Sequence, residues 1–106
     1  MKIYISGKIG NLDMADVRAK FDAVDTMLTA AGHQVLNPLD IHDHPHVPVK
    51  NPSTWAEYML NDIAAIFDCD AIYMLHDWQD SPGSRIEHAI CKEMGKQIFY
   101  AATDLI

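Results

Sequence analysis

The chain has 106 residues, 49% hydrophobic and 22% charged, with a formal net charge of −7. That length supports one hydrophobic core and not two, so residues 1–106 are expected to form a single domain. The mixture is that of a folded protein, no stretch approaches the ~20 apolar residues that span a bilayer, and eight scattered Lys and Arg give no basic stripe for DNA or RNA.

The opening MKIYISG lacks the apolar run of a secretory signal and reads instead as a first strand, Lys2–Ser6. Alternation puts Tyr4 and Ser6 on one face and Ile3 and Ile5 on the other. Gly7 and the Gly10-Asn11 pair end the strand, and Asp13 is placed to cap a helix. Apolar residues then recur at Val17, Phe21, Val24 and Leu28, the spacing of one buried helical face running to Ala31. Gly32 suits a left-handed C-cap. His33–Leu36 reads as a second strand, ended by Asn37-Pro38 because proline offers no ladder donor.

Pro38–Pro52 is a long loop with four prolines and three histidines, and loops of that length often cover binding sites. Ser53 or Thr54 can cap the next helix, with Glu57 as the reciprocal acid. Its expected inward stripe is Trp55, Met59, Ile63 and Ile66, up to Phe67. Asp70–Leu75 is apolar after its first residue, as a central strand covered on both faces should be. The segment His76–Pro82 leads through Gly83 into a third helix with an expected stripe of Ile86, Ala89/Ile90 and Met94, closed by Gly95. Gln97–Ala101 is the last strand. Cys69 and Cys91 lack CxxC spacing and sit among apolar residues, so reduced thiols in a cytoplasmic protein are expected.

This alternation predicts an α/β fold, flavodoxin- or Rossmann-like, with three α/β/α layers and a parallel sheet of about four strands in the order 2-1-3-4. Such sheets bind ligands beyond the carboxyl ends of their strands, at the point where the order reverses. Three segments meet that description: Ser6–Asn11, the histidine-rich loop and Asp77–Glu87.

Several residues there could carry chemistry. Glu87, early in the third helix, would be held ionised by the helix dipole, although the same spacing suits an ordinary helix-stabilising Glu. Asp62 lies on the edge of a buried stripe, where a charge is costly unless paired. A structural hydrogen bond would explain it as well as a function would. Tyr4 suits either the core or the site. Ser81, Gly83, Ser84 and Arg85 form a credible anion pocket at a helix start, or simple capping. Trp78 could stack on a base. His42, His44 and His46 alternate, but the interleaved Asp and Pro suggest an irregular loop and not a zinc or nickel site. No metal and no cofactor is expected.

Three segments in register resemble the nucleoside 2-deoxyribosyltransferase superfamily, including the deoxynucleoside 5′-monophosphate N-glycosidases. They are Ile3-Tyr4-Ile5-Ser6-Gly7, then Asn61-Asp62-Ile63 with Cys69-Asp70-Ala71, then Ser81-x-Gly83-x-x-x-Glu87 followed by Gly95. The likeness spans almost the whole chain and is greatest to a small branch described as a domain of unknown function. It implies that Glu87 is a nucleophile toward C1′ of the sugar, that Tyr4 orients it, and that Asp62 binds the sugar and manages the proton on the leaving base. Ser6, Gly7, Lys8, Ser81, Gly83, Ser84, Arg85 and Trp78 become substrate-binding candidates. Ser81 stands where the monophosphate glycosidases have a phosphate-binding Ser. Gly10 stands where they have Arg, with Lys8 as a substitute. Relatives continue to a fifth strand and a tail where this sequence ends at Ile106. The resemblance thus implies cleavage or transfer at a (deoxy)nucleoside 5′-monophosphate through a glycosyl-Glu intermediate, in a homodimer or higher oligomer with no nucleic-acid or membrane partner. The alternative is a module that binds a nucleotide or ADP-ribose-like ligand without cleaving it.

Overall fold

A computed structural model of the chain describes residues 1–105; the end of the expected domain, Ile106, lies outside them. Four strands, β1 (Lys2–Ser6), β2 (Gln34–Leu36), β3 (Ala71–Met74) and β4 (Gln97–Phe99), form one parallel sheet in the order β2-β1-β3-β4. Three helices connect them: α1 (Met14–Ala30), α2 (Trp55–Phe67) and α3 (Pro82–Glu93). This is the expected α/β architecture. The alternation of β1 divides the core as expected. Ile3 and Ile5 pack with Val17, Phe21 and Leu28 of α1. Tyr4 packs on the other side with Ile66 of α2 and Cys91 of α3.

Local sequence sets the ends of these elements. The Asp13 carboxylate accepts from the amides of Ala15 at 2.8 Å and Asp16 at 3.3 Å, capping α1. Gly32 follows that helix at φ +93°, a conformation that would strain a side chain. Thr54 and Glu57 form a reciprocal capping box on α2. Ser81 caps α3 by accepting from the Ser84 amide at 3.2 Å, and Pro82 is the first helical residue. Strand β4 stops at Phe99 and does not reach Ala101. The amides of Tyr100 and Ala101 turn instead onto the Asp104 carboxylate, at 2.8 and 3.0 Å.

Two helical faces differ from expectation. On α2, Trp55 is 60% exposed and Ile63 only half-buried, while Asn61 and Asp62 are buried beside Met59 and Ile66. On α3, Ile86 and Met94 face outward, and the buried face is Gly83, Ser84, Glu87 and Cys91. Both helices are rotated toward polar residues. Asn61, Ser84 and Glu87 find hydrogen-bonding partners inside, which offsets the cost of removing them from water.

Candidate active site

Strands β1 and β3 are neighbours, and the chain leaves them toward opposite edges of the sheet. A crevice therefore opens above their carboxyl ends. It holds a cavity of about 580 Å³. Its walls come from Tyr4 and the turn Ser6–Asn11, from Pro38, Leu39 and His42, from α2 at Trp55, Tyr58, Met59 and Asp62, and from Asp80 to Ser84 with Glu87. Gly7 is needed at the end of β1. A Cβ there would lie 2.5 Å from Leu75 Cδ1, so only glycine lets the two strand ends close. Gly83 plays a similar part between α3 and α2, with Met59 Sδ 3.1 Å from where a Cβ would stand.

Glu87 is 4% exposed and fixed through both carboxylate oxygens. The Tyr4 hydroxyl donates to Oε2 at 3.0 Å, and the Ser6 hydroxyl donates to Oε1 at 2.6 Å. Ser84 Oγ lies 2.9 Å from Ser6 Oγ and extends the chain of hydroxyls. Ser6, a substrate-binding candidate, is thus fully buried beneath Glu87 and orients the carboxylate. Ser84, another candidate, is 2% exposed and supports Ser6.

Burial dominates the electrostatics. It pushes the Glu87 carboxyl up to about 7, even though Ser6 and Tyr4 donate to the ionised form. The expectation that the helix dipole keeps Glu87 ionised is corrected by its position. It is the sixth residue of α3, past the first turn in which the dipole acts, and the desolvation is larger. Burial first, and then the Glu87 charge, raise Asp62 to about 8. Two carboxyls so placed both favour their protonated forms and titrate as a pair near neutrality. Burial, then Glu87 and Asp62, hold the Tyr4 phenol well above its ordinary value, so it remains a donor.

A half-buried clamp fixes the rim. Lys20 Nζ on α1 meets Asp77 Oδ2 at 2.6 Å and the Lys8 carbonyl at 2.7 Å, while the Lys8 amide donates to Asp77 Oδ1 at 3.1 Å. Burial pushes the Asp77 carboxyl up, but the Lys20 and Lys8 bonds outweigh it and hold the group below its usual range. The turn after β1 is thereby tied to the turn after β3.

The remaining candidates divide. Lys8, Ser81 and Gly83 line the cavity. Trp78 does not: its ring stacks on His88 at 4.3 Å, outside the cavity wall. Arg85 is exposed and donates to the Gln79 carbonyl at 2.9 Å, also outside. Both sit on sides of their turn or helix that face away from the cleft. The three histidines separate as well. His44 and His46 approach each other at 5.1 Å, while His42 points inward with Nε2 3.5 Å from Asp62 Oδ1. The sequence reading placed the loop of His42 and the segment opening at Asp77 at the site, and quoted Asn61 beside Asp62, but gave these residues no role there, and it missed Lys20. The adjacency of Asn61 to Asp62 was the one available signal. Among the described residues, no helix is long and apolar enough to cross a membrane.

The fold is similar to that of a 2-deoxyribosyltransferase. A solved structure of a 2-deoxyribosyltransferase from the psychrotolerant bacterium Bacillus psychrosaccharolyticus matches with a TM-score of 0.67 at 18% identity, covering 92% of this chain and 69% of that one. Residues 1–100 match the family described as a domain of unknown function (DUF4406), and the chain belongs to it. No curated protein matches the sequence.

Proposed function

We propose that this protein cleaves or exchanges the N-glycosidic bond of a nucleoside 5′-monophosphate or its nucleoside, through a covalent intermediate on Glu87. The observation that carries this reading is the Glu87 carboxylate. It is buried in the cavity wall, oriented by Tyr4 and Ser6, and shares the cleft with a second carboxyl, Asp62, that burial pushes toward its protonated form. Two carboxyls with different proton affinities in one cleft divide the labour of glycoside cleavage.

In the first step a Glu87 oxygen bonds to C1′ as the C1′–N bond breaks. Its electron pair goes to the base nitrogen, and Asp62 supplies the proton. In the second step water, or a second base, bonds to C1′ and releases Glu87, and its proton returns to Asp62. Two successive displacements retain configuration. Lys8 and the start of α3 at Ser81–Gly83 would meet a 5′-phosphate. Asp80, also on the wall, limits how much negative charge that end can accept.

Release of free base from a panel of nucleotides and nucleosides tests the proposal. Glu87→Gln and Glu87→Ala should abolish it, with a loss of at least ~10³-fold expected for a missing nucleophile. A wild-type protein that turns over no member of the panel would refute the enzyme. Lys8→Ala should raise KM for the monophosphate and leave the nucleoside unchanged; equal effects on both would remove the phosphate.

Two observations favour the alternative of a binding module. Arg85 lies outside the cavity, and both Glu87 oxygens are already engaged by the protein. Recovery of intact nucleotide or ADP-ribose-like ligand, with affinity unchanged in Glu87→Gln, would establish that reading. A homodimer is also part of the proposal, since α2 and α3 leave Leu60, Phe67, Ile86 and Met94 exposed. A monomer at micromolar concentration would contradict it.

A further inference from the structure

Asp62 Oδ1 is buried and has no hydrogen-bond partner. A buried oxygen in that state is uncommon in a folded protein and calls for a reason. His42 Nε2 lies 3.5 Å away, beyond the ~2.7–3.2 Å of a formed N–H···O bond. The contact is therefore open at rest and needs only a small movement to close, as catalytic hydrogen bonds often do when substrate arrives.

The His42 ring is held so that this donor exists. Asn61, beside Asp62 on α2, is 1% exposed. Its Oδ1 accepts from the Val49 amide at 2.9 Å, and its Nδ2 donates to the Val49 carbonyl at 3.0 Å. That pair fixes which end of the amide is the donor. The same Nδ2 lies 3.2 Å from His42 Nδ1, which must therefore be the acceptor. In a neutral imidazole the one remaining proton then sits on Nε2, aimed at Asp62. Tyr58 sets the ring plane edge-on at 4.7 Å. Burial lowers the His42 pKa, which favours the neutral ring.

We propose that His42 is a positioning residue for Asp62, its Nε2–H being the donor that completes Oδ1 when that carboxyl becomes an anion. This rests on the glycosyl-transfer reading above. When C1′–N breaks, the base nitrogen takes the Asp62 proton and leaves a carboxylate in a dry site. A hydrogen bond to that charged form stabilises it. The proton returns from water or the second base, so His42 neither gains nor loses one. Around the pair stand Asp43 on the same loop, the Pro38 backbone, which competes for the ring's proton, Tyr58 on α2, and Glu87 and Tyr4 beside Asp62.

Two substrates separate this role from a structural one: a natural deoxynucleoside monophosphate, and 2-deoxyribose 5-phosphate bearing 4-nitrophenolate, which leaves without a proton. His42→Phe should lower kcat on the first by about tenfold or more, with KM little changed, and spare the second. His42→Gln, whose amide can place a donor near the same point, should retain most activity. An equal loss on both substrates, or no loss on the natural one, overturns the proposal. Nitrogen NMR of the unliganded protein is independent of turnover. The ring should carry its proton on Nε2, and the Asp62 carboxyl midpoint should rise in His42→Phe. A proton on Nδ1 or an unmoved midpoint refutes the pairing even in an active enzyme. Absence of base release with both signatures present refutes the glycosyl-transfer reading alone.

Discussion

At the level of single residues, the site depends on how the protein distributes one proton. In the proposed reaction Glu87 is ionised when it attacks, and burial pushes its carboxyl up to about 7. In the same proposal Asp62 is protonated when it assists the leaving base, and burial and Glu87 push its carboxyl up to about 8. Rate should therefore rise as pH climbs through about 7, where Glu87 loses its proton, and fall above about 8, where Asp62 does. A narrow bell in kcat/KM is the expected profile, its two limbs belonging to the pair. Tyr4→Phe sharpens this test. The phenol donates to the ionised form of Glu87, so its loss should move the acid limb to higher pH and cost about tenfold or more at neutrality. A drop in rate with the limb unmoved would mean that Tyr4 acts by packing alone.

At the level of elements, the boundaries followed local chemistry and the orientations did not. The Asp13 cap, the Thr54–Glu57 box and the alternation of β1 are short-range signals, and each appears in the structure as its residues predicted. The inward face of α3 was not legible from apolar periodicity. Ile86 and Met94 match a helical stripe as well as any pair in the chain, yet they face out. What turns the helix is the pairing of Glu87 and Ser84 with hydroxyls on β1, some eighty residues away in sequence. His42 was hidden for a related reason: its role depends on the path of an irregular loop, pinned by Asn61 to the Val49 backbone. The resemblance reached Tyr4, Asp62 and Glu87 because it carries such long-range information. The capping box gives this scale its own prediction. Thr54→Ala removes the hydroxyl that accepts from the Glu57 amide at 3.2 Å. It should cost about 1 kcal/mol and lower Tm by roughly 4–8 °C, leaving the pH limbs in place. An unchanged Tm would show that tertiary packing alone sets the start of α2.

At the level of the whole molecule, a site built from buried carboxyls opposes the stability of the fold that holds it. In the unfolded chain both acids titrate near their ordinary values, 3.8 for Asp62 and 4.5 for Glu87. Folding raises both, so between those values and about 7 to 8 the native state binds more protons than the unfolded one. Their contribution to stability is then fully present below the unfolded values and is lost as pH rises to the folded ones, by about 1.4 kcal/mol per pH unit for each proton retained. The direction is opposite to that of salt-bridged acids, which lose stability on acidification. Glu87→Gln replaces a titrating group with a neutral one of similar shape that Tyr4 and Ser6 can still address. It should therefore flatten the fall of Tm between pH 5 and 8 and raise Tm at pH 8 above that of the native protein, while removing activity. Thermal unfolding across that range decides the matter. Parallel pH profiles for the two proteins would mean that Glu87 is hydrated in the folded state, and the raised carboxyl on which the bell-shaped rate profile depends would fall with it.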